Sequence, residues 1–466
     1  MKALKLSLVV MGAALVTIGL SGMAYAFHSG GVADCDGCHT MHNSLGGKAV
    51  ALKGGSTQFT GYNYLLQGSD QSSTCLNCHG KTNAGAIASG NYAFTTVGLT
   101  VTPGTPPIQR TPGGDFGWLY KNYPAVGHAP ASPGNQHGHN ITAQDYNLPN
   151  GNPPTTAAPG GTYLTANLYC TSCHNPHSSA RIVSNPVTTT SIVNSALGTA
   201  VPPISGSGSY TTSWPPAAGT AVGVYRLLGG VGYVPYSYQA APPFINPPPL
   251  AIAPAGTSGT YNQTEATHEV RVAYGTVGGA YGMAEWCQNC HPQIYNNNSP
   301  VTTGHLIHPN GVNAVLSVTA NISGTLTTIE AIYNAYINSG NLTNTVATSY
   351  TSLVPYEEAT NDMTVLSAHA NSNGSYLQGT TLGTEHVTCL SCHRAHASGF
   401  NQGTRWNNNA EFLTVAGLWP DSGTTASSGY SNGMPQGDYQ AAMYDRPATI
   451  YATYQRSLCN KCHGKD

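Results

Sequence analysis

Cysteine and histidine recur along this sequence in one fixed pattern, C-x-x-C-H. All twelve cysteines belong to six copies of the pattern, and none is left over. We number the copies motif I to motif VI in chain order: Cys35-Cys38-His39, Cys75-Cys78-His79, Cys170-Cys173-His174, Cys287-Cys290-His291, Cys389-Cys392-His393 and Cys459-Cys462-His463. Two thiols three positions apart lie about one turn apart, and the next residue places an imidazole beside them.

This spacing is typical of covalent attachment of c-type haem, in which two thiols bond to the porphyrin and the histidine binds iron. Exported cysteines more often form disulfides, and paired C-x-x-C units also bind zinc. Neither alternative needs a histidine directly after every second cysteine, and histidine makes up only 18 of the 466 residues. The sequence therefore predicts six covalently bound c-type haems.

Each iron needs a second axial ligand, for which methionine and histidine are the usual choices. Histidine is the more abundant of the two here, so we expect bis-histidine ligation at all six irons, with no position left open for a substrate. Twelve histidines lie outside the motifs: His28, His42, His128, His137, His139, His177, His268, His305, His308, His369, His386 and His396.

Three of these histidines follow a motif histidine at a constant interval, giving C-H-x-x-H. They are His42, His177 and His396. On a helical turn, side chains three residues apart share one face, so the second imidazole cannot reach the opposite side of the same haem. We expect each of the three to bind a different haem; the alternative is a solvated surface histidine.

The other distal ligands are less strongly marked by the sequence. His139, His308 and His369 are the next candidates, and His28 follows them closely. We expect the remaining five histidines to lie at the surface or to donate supporting hydrogen bonds: His128, His137, His268, His305 and His386.

The segments between the motifs are rich in Gly, Pro, Ser, Thr and Asn. Charged residues are only 7% of the chain, against roughly 25% in a typical soluble domain. Such composition usually indicates disorder, but six haems offer large apolar surfaces that irregular loops can wrap. We predict mostly irregular coil with short helices at the motifs and little strand.

One segment has a clear helical pattern outside the motifs. Thr327 and Glu330 form a predicted capping box, and Gly340 is a predicted C-terminal cap. Between them an apolar stripe has helical spacing, which indicates packing and no chemical role. The stripe consists of Ile329, Ile332, Tyr333, Tyr336 and Ile337.

The first 26 residues have the pattern of a secretory signal. A basic start precedes an apolar run from Leu6 to Leu20, and small residues end at Ala26. We expect cleavage there; the alternative is an uncleaved membrane anchor. Residues 27–466 then form one haem-cored domain outside the inner membrane. The net charge of −2 leaves no basic footprint for nucleic acid and little charge repulsion against self-association.

Several stretches spread over the mature chain resemble the OmcS-like hexahaem c-type cytochromes of metal-reducing bacteria. They include FHSGGVADCDGCHTMHNSLGG, TPGGDFGW, CLSCHRAHASGF and YQRSLCNKCHGKD. The resemblance implies extracellular filaments with a continuous chain of six stacked haems per subunit. It also implies that His42 ligates the haem at Cys389, Cys392 and His393 of a neighbouring subunit. Seven histidines match the family's ligands for six places: His28, His42, His139, His177, His308, His369 and His396.

The leading hypothesis is an extracellular electron conduit, with other c-type cytochromes and acceptors such as iron oxides as partners. A monomeric periplasmic or surface electron shuttle is the first alternative. A multihaem reductase is the second, and it would need an open iron, which six C-x-x-C-H motifs and spare histidines disfavour. We therefore expect an electron carrier and no enzyme.

Overall fold

Irregular backbone interrupted by short helices dominates the computed structural model, as predicted from the composition. The residues it describes are 35–40, 44–45, 48–49, 65–80, 92–95, 105–107, 113–127, 129–149, 151, 153–178, 180–184, 190–194, 204–207, 221–252, 272–294, 308–322, 325–338, 354–370, 384–420, 431 and 433–463. The predicted signal segment lies outside these residues, as do His28 and His42. None of the described helices is long and apolar enough to cross a membrane.

Every C-x-x-C-H motif lies on or next to a short helix. The α-helices are α1 (Cys35–Cys38), α2 (Gln71–His79), α3 (Cys170–Cys173), α4 (Met283–Cys287), α5 (Ile329–Asn338), α6 (Met363–His369), α7 (Cys389–Cys392) and α8 (Gln436–Ala442). The 3₁₀ helices are Phe116–Tyr120, Gly134–Gln136, Gln144–Tyr146, Thr165–Asn167, Tyr225–Leu227, Asn401–Gly403, Ala448–Ile450 and Leu458–Lys461, the last at motif VI.

Side chains at the N-termini stabilise some of these helices. Asp70 accepts a hydrogen bond from the Ser73 backbone N–H at 2.8 Å at the start of α2. At α5 the N-terminal cap lies one residue later than predicted. The Thr328 hydroxyl, and not that of Thr327, accepts a hydrogen bond from the Ala331 backbone N–H at 3.0 Å. Thr328 also ends a strand, so the chain turns directly from strand into helix there.

The strands are short and form small separate sheets. They are β1 (Ser44–Leu45), β2 (Lys48–Ala49), β3 (Ala180–Ser184), β4 (Thr190–Asn194), β5 (Ile204–Ser207), β6 (Ala221–Gly223), β7 (Leu250–Ile252), β8 (Ala273–Gly275), β9 (Thr319–Ile322), β10 (Thr325–Thr328) and β11 (Glu357–Glu358). The orders are β1-β2, β10-β9, β11-β8-β7 and β4-β3-β6-β5. The β11–β8 and β5–β6 pairs are parallel, and the others are antiparallel.

The apolar side chains pack in clusters against the motif cysteines. A large cluster around Trp118 and Trp419 is in contact with Cys170, Cys392 and Cys462. A second cluster around Tyr233 and Trp286 is in contact with Cys173, Cys287 and Cys290. Because each cluster packs against three motif cysteines, the core of the described chain is arranged around the attachment motifs.

Candidate haem-binding sites

Motifs I, III and V are each held by a three-residue segment of extended or turning backbone, which we call a clamp. The clamps are residues 65–67, 227–229 and 403–405. In each, the first residue has a positive φ: 51° at Leu65, 54° at Leu227 and 66° at Gly403. A positive φ is costly for leucine, so the surrounding structure must enforce it at two of the three clamps.

The same two backbone hydrogen bonds join each clamp to its motif. The residue after the motif histidine donates to the first clamp carbonyl, at 2.7 Å in motif I, 2.8 Å in motif III and 2.7 Å in motif V. The third clamp residue donates to the second cysteine's carbonyl at 2.8, 2.9 and 2.8 Å in the same order. Sequence reasoning missed the clamps, although motifs I and III share a Leu-Leu pair at this position, Leu65-Leu66 and Leu227-Leu228.

Backbone carbonyls orient the motif histidines through their Nδ1 atoms. The distances are 2.7 Å from His174 to Arg226 O, 2.8 Å from His291 to Pro159 O and 2.9 Å from His393 to Gln402 O. A carbonyl at Nδ1 fixes the proton there and leaves Nε2 deprotonated, as a metal ligand requires. The sequence holds no direct signal for these carbonyls, because the backbone of any residue can supply one.

Several distal candidates have the same arrangement. His139 Nδ1 lies 2.6 Å from Ala395 O, and His308 Nδ1 lies 2.8 Å from Pro309 O. His369, at the end of α6, instead directs Nδ1 to the Glu358 carboxylate at 2.7 Å. His177 Nδ1 makes a longer contact of 3.4 Å with the Tyr236 hydroxyl.

Four motif histidines face a second imidazole across a uniform gap. The ring centres are 6.1 Å apart in His39–His177, His174–His396 and His291–His139, and 5.8 Å apart in His463–His308. Two imidazoles on opposite sides of one metal ion, each with its nitrogen about 2 Å from the metal, have ring centres about 6 Å apart. The four gaps therefore fit one iron each.

Burial keeps these imidazoles in the neutral form that binds metal. It lowers the pKa of His291 to about 4, with a smaller effect from the facing His139. It lowers the pKa of His396 to about 3, with a smaller effect from the facing His174. The neutral ring is the ligating species, so both pairs fit the coordination that haem iron requires.

Two of the distal histidines are fixed to each other by backbone contacts between residues 113–115, 137–139 and 396–398, which we call the ligand junction. His139 N–H donates to His396 O at 2.8 Å, and His396 N–H donates to Gly113 O at 2.7 Å. Asp115 N–H donates to Ala397 O at 3.1 Å. His139 faces motif IV and His396 faces motif III, so the junction sets the relative position of these two sites.

Consecutive motifs meet through their cysteines in chain order. The Cys75 side chain contacts that of Cys170, and the Cys287 side chain contacts that of Cys389. Helix α2 also packs against α3, and α4 packs against α7. Burial raises the pKa of Cys38, Cys173 and Cys392. In each case a thiol of the next motif adds to the effect: Cys78 beside Cys38, Cys290 beside Cys173 and Cys459 beside Cys392. The six motifs thus follow one another in space from I to VI.

The remaining ligand candidates are not all placed. His28 and His42 lie outside the described residues, and His369 is in none of the four imidazole pairs. Within the described chain, His393 of motif V has no imidazole facing it at the distance of the four pairs. His128, His268 and His305, which we expected to be non-ligands, also lie outside the described residues.

Two histidines expected at the surface or in supporting roles are fully buried. His137 Nδ1 donates to Trp118 O at 2.9 Å, and its Nε2 lies 2.9 Å from the Ser132 hydroxyl. With both nitrogens in hydrogen bonds, His137 supports the core and binds no iron. His386 faces Glu357 instead of solvent. The surface alternative is therefore wrong for both residues, because both are buried, and the hydrogen bonds of His137 fit the supporting alternative.

Known proteins resemble the chain over its whole length, although no family model matches it. The C-type cytochrome OmcS of Geobacter sulfurreducens is 46% identical over 468 residues, which cover 100% of both chains. Two solved structures from the same organism are also similar. The OmcS nanowires seen by cryo-EM have a TM-score of 0.76 at 44% identity, and the outer membrane cytochrome S filament has 0.77 at 45%. Each match covers 94% of this chain and 100% of the solved chain.

Proposed function

This chain belongs to the OmcS family of c-type cytochromes, and we propose that it is an electron carrier with six covalent haems that assembles into an extracellular filament. The observation that carries the proposal is the set of four imidazole pairs, each spaced for one iron between a motif histidine and a distal one. When bound, haem c supplies an iron that accepts and releases single electrons. With histidines on both sides, the chain offers no open position at these irons for a substrate.

The odd-numbered motifs follow one pairing rule. His396, which follows motif V, faces motif III, and His177, which follows motif III, faces motif I. Each second histidine therefore serves the site two motifs earlier. By the same rule, His42, which follows motif I, binds the site two motifs earlier. Counting back from motif I continues into a preceding copy of the chain, through its motif VI to its motif V. Its counterpart there is His393, which has no facing imidazole among the described residues.

For the even-numbered motifs the rule runs in the opposite direction: a histidine that follows one even motif faces the next even motif along the chain. His139, between motifs II and III, faces motif IV, and His308, after motif IV, faces motif VI. The corresponding ligand of motif II would come from the segment before motif I, where His28 lies. We assign His28 to His79 on this basis, which leaves His369 as the seventh, surplus candidate.

Helix packing between motifs repeats along the chain, and we propose that the same repeat continues into a neighbouring copy. Motif II packs against motif III through α2 and α3, and motif IV packs against motif V through α4 and α7. The next contact in this series joins motif VI to motif I of the following copy. A heterologous contact of this kind generates an open filament unless the rotation closes into a ring.

The His42→Ala variant tests the proposed function. We expect the exported variant to keep six covalent haems and to lose filaments, because the neighbour's motif V iron loses its second ligand. Electron microscopy of the native secreted protein measures assembly, and low-temperature EPR counts the low-spin irons. Filaments of normal length, with all six irons low-spin, would contradict the assignment of His42.

His369→Ala is the matched control. It removes another candidate imidazole, and we expect filaments and six low-spin irons to remain. Loss of one low-spin iron in this variant would show instead that His28 is the surplus histidine.

The same proposal covers export and partners. We propose cleavage after Ala26, passage through the periplasm, and electron exchange with other c-type cytochromes and acceptors such as iron oxides. N-terminal sequencing of the secreted protein should begin at Phe27.

A further inference from the structure

A buried pair of ionisable side chains lies beside motifs IV and V. Glu357 and His386 have side chains that are both 0% exposed, and His386 Nε2 lies 3.3 Å from Glu357 Oε2. The histidine matches no ligand of the site described above. Charged groups are almost never fully buried without a specific partner, so this pair calls for an explanation.

Backbone pairing holds the two residues opposite each other. Glu357 N–H donates to His386 O at 3.0 Å, and His386 N–H donates to Glu357 O at 2.9 Å. The other carboxylate oxygen, Glu357 Oε1, accepts from Met283 N–H at 2.7 Å, the first residue of α4. The pair is thus fixed to the helix that ends at Cys287.

The facing atoms are poorly satisfied. Glu357 Oε2 and His386 Nε2 are at ion-pair distance but are not aligned as a hydrogen bond, and neither has another hydrogen-bond partner. Glu285 is the other charged group acting on both, and its carboxylate accepts from Gly282 N–H at 2.8 Å and Val312 N–H at 2.9 Å. Of the neighbouring carboxylates, Glu358 bonds His369, and Glu385 accepts from Thr384 N–H at 3.1 Å.

The surroundings raise the pKa of both groups. Burial raises the pKa of Glu357 and outweighs the opposite effect of His386. Burial lowers the pKa of His386, but Glu357, Thr384 O and Glu285 together more than offset this effect, so that the pKa of His386 is above its ordinary value. The net charge of the pair changes by one unit when the imidazole binds or releases a proton.

Both nearby haem attachment points are within electrostatic range of this proton. Helix α4 separates Met283 from Cys287 by about 6 Å along its axis. His386 precedes Cys389 by three residues, a span of at most about 11 Å. Since the Cys287 and Cys389 side chains are in contact, the pair lies beside both sites.

One side of the imidazole lies close to the surface. His386 Nδ1 lies 3.4 Å from the carbonyl oxygen of Thr384, and Thr384 is exposed at the surface. A carbonyl oxygen only accepts, so Nδ1 carries the proton of the neutral ring, and the proton taken up binds Nε2, which faces Glu357.

We propose that Glu357 and His386 form a redox-linked proton site, which binds one proton when an electron enters the haems attached at Cys287 and Cys389. The inference rests on the proposed function, because it requires haem at motifs IV and V. An external donor supplies the electron, which reduces one ferric iron to ferrous. Solvent supplies the proton, which binds the neutral His386 imidazole; oxidation reverses both transfers, and no other bond changes.

Spectroelectrochemical titration of the haem-loaded protein between pH 5 and 9 tests the site. The midpoint potential of two of the six haems should fall as pH rises above about 6.5, the ordinary histidine value. The reduced-to-oxidised ratio should change by up to tenfold per pH unit, about 59 mV for one electron. Glu357→Gln, which keeps an acceptor for Met283 N–H, and His386→Gln should each flatten this dependence.

Asp438→Asn is the matched control. Asp438 is also a buried carboxylate, 1% exposed, and it accepts a hydrogen bond from the Tyr123 hydroxyl at 2.8 Å away from the pair. We expect this variant to keep the wild-type pH profile. Glu357→Asp retains the carboxylate but places it farther from the imidazole, so it should shift the pH profile to lower pH. This variant provides the test if the glutamine variants do not assemble.

Haem content separates the two proposals. Fewer than six haems in the wild-type protein would contradict the proposed function. Six haems with no pH dependence in the wild type, or with the same dependence in the wild type and the Glu357 variants, would overturn the proton site alone.

Discussion

At the scale of single residues, the position of the proton on each imidazole decides which histidines can bind iron. His174, His291 and His393 each place Nδ1 against a backbone carbonyl, which fixes the proton there and leaves the lone pair for iron on Nε2. His137 has the same type of ring but uses both nitrogens in hydrogen bonds. Ligand and core histidine are thus distinguished by their neighbours and not by residue type.

We predict that His177→Ala converts one of the six irons, that of motif I, to a high-spin form. The variant removes the imidazole opposite His39, and with it the proposed second ligand of that iron. EPR and carbon monoxide binding measure the change, and added imidazole should restore the low-spin signal. His137→Gln is the control: we expect lower stability, by about 1–3 kcal/mol, with all six irons low-spin.

A His177→Ala protein that binds no carbon monoxide would show that His177 is not the ligand of the motif I iron.

At the scale of elements, backbone segments far apart in sequence hold helices that are too short to be stable alone. α1, α3 and α7 have four residues each, well below the length at which an isolated helix persists in water. The clamps and the ligand junction replace this missing stability with hydrogen bonds to the motif and ligand backbone. Gly114 permits the closest approach in the junction, because an added Cβ would overlap the Ala397 carbonyl oxygen.

We predict that Gly114→Ala lowers stability by about 3 kcal/mol or more and disturbs the irons of motifs III and IV together. The φ of 84° adds strain to the overlap with Ala397. Thermal unfolding and EPR measure the two effects.

Gly417→Ala is the matched control, because Gly417 has a similar φ of 74° but no atom within 4 Å of an added Cβ. It should cost only about 1 kcal/mol, which is the strain alone. Equal losses in the two variants would mean that the junction contact is unimportant.

At the scale of the whole molecule, each of two apolar clusters packs against three motif cysteines, and we expect bound haem to complete the core there. We predict that the protein made without haem attachment is not compactly folded. Limited proteolysis and near-ultraviolet circular dichroism should show rapid cleavage and little tertiary signal, in contrast to the exported, haem-loaded protein. A protease-resistant chain without haem would contradict this prediction.

The sequence alone determined the cofactor chemistry. Haem attachment and the C-H-x-x-H spacing are short-range patterns, in which every participant lies within a few residues of the motif. The predicted coil-rich fold with short helices is confirmed for the same reason, because composition and local turns specify it. The α5 helix was also predictable from its stripe, although its cap at Thr328 depended on the strand before it.

Only the tertiary structure decided which imidazoles face each other and what orients them. His174 meets His396 and His291 meets His139 across distant parts of the chain, and no local spacing encodes such pairs. The clamps and the Nδ1 carbonyls are backbone features, which almost any residue type can supply. The burial of Glu357 opposite His386 likewise depends on strand pairing, since either residue in isolation would be expected at the surface.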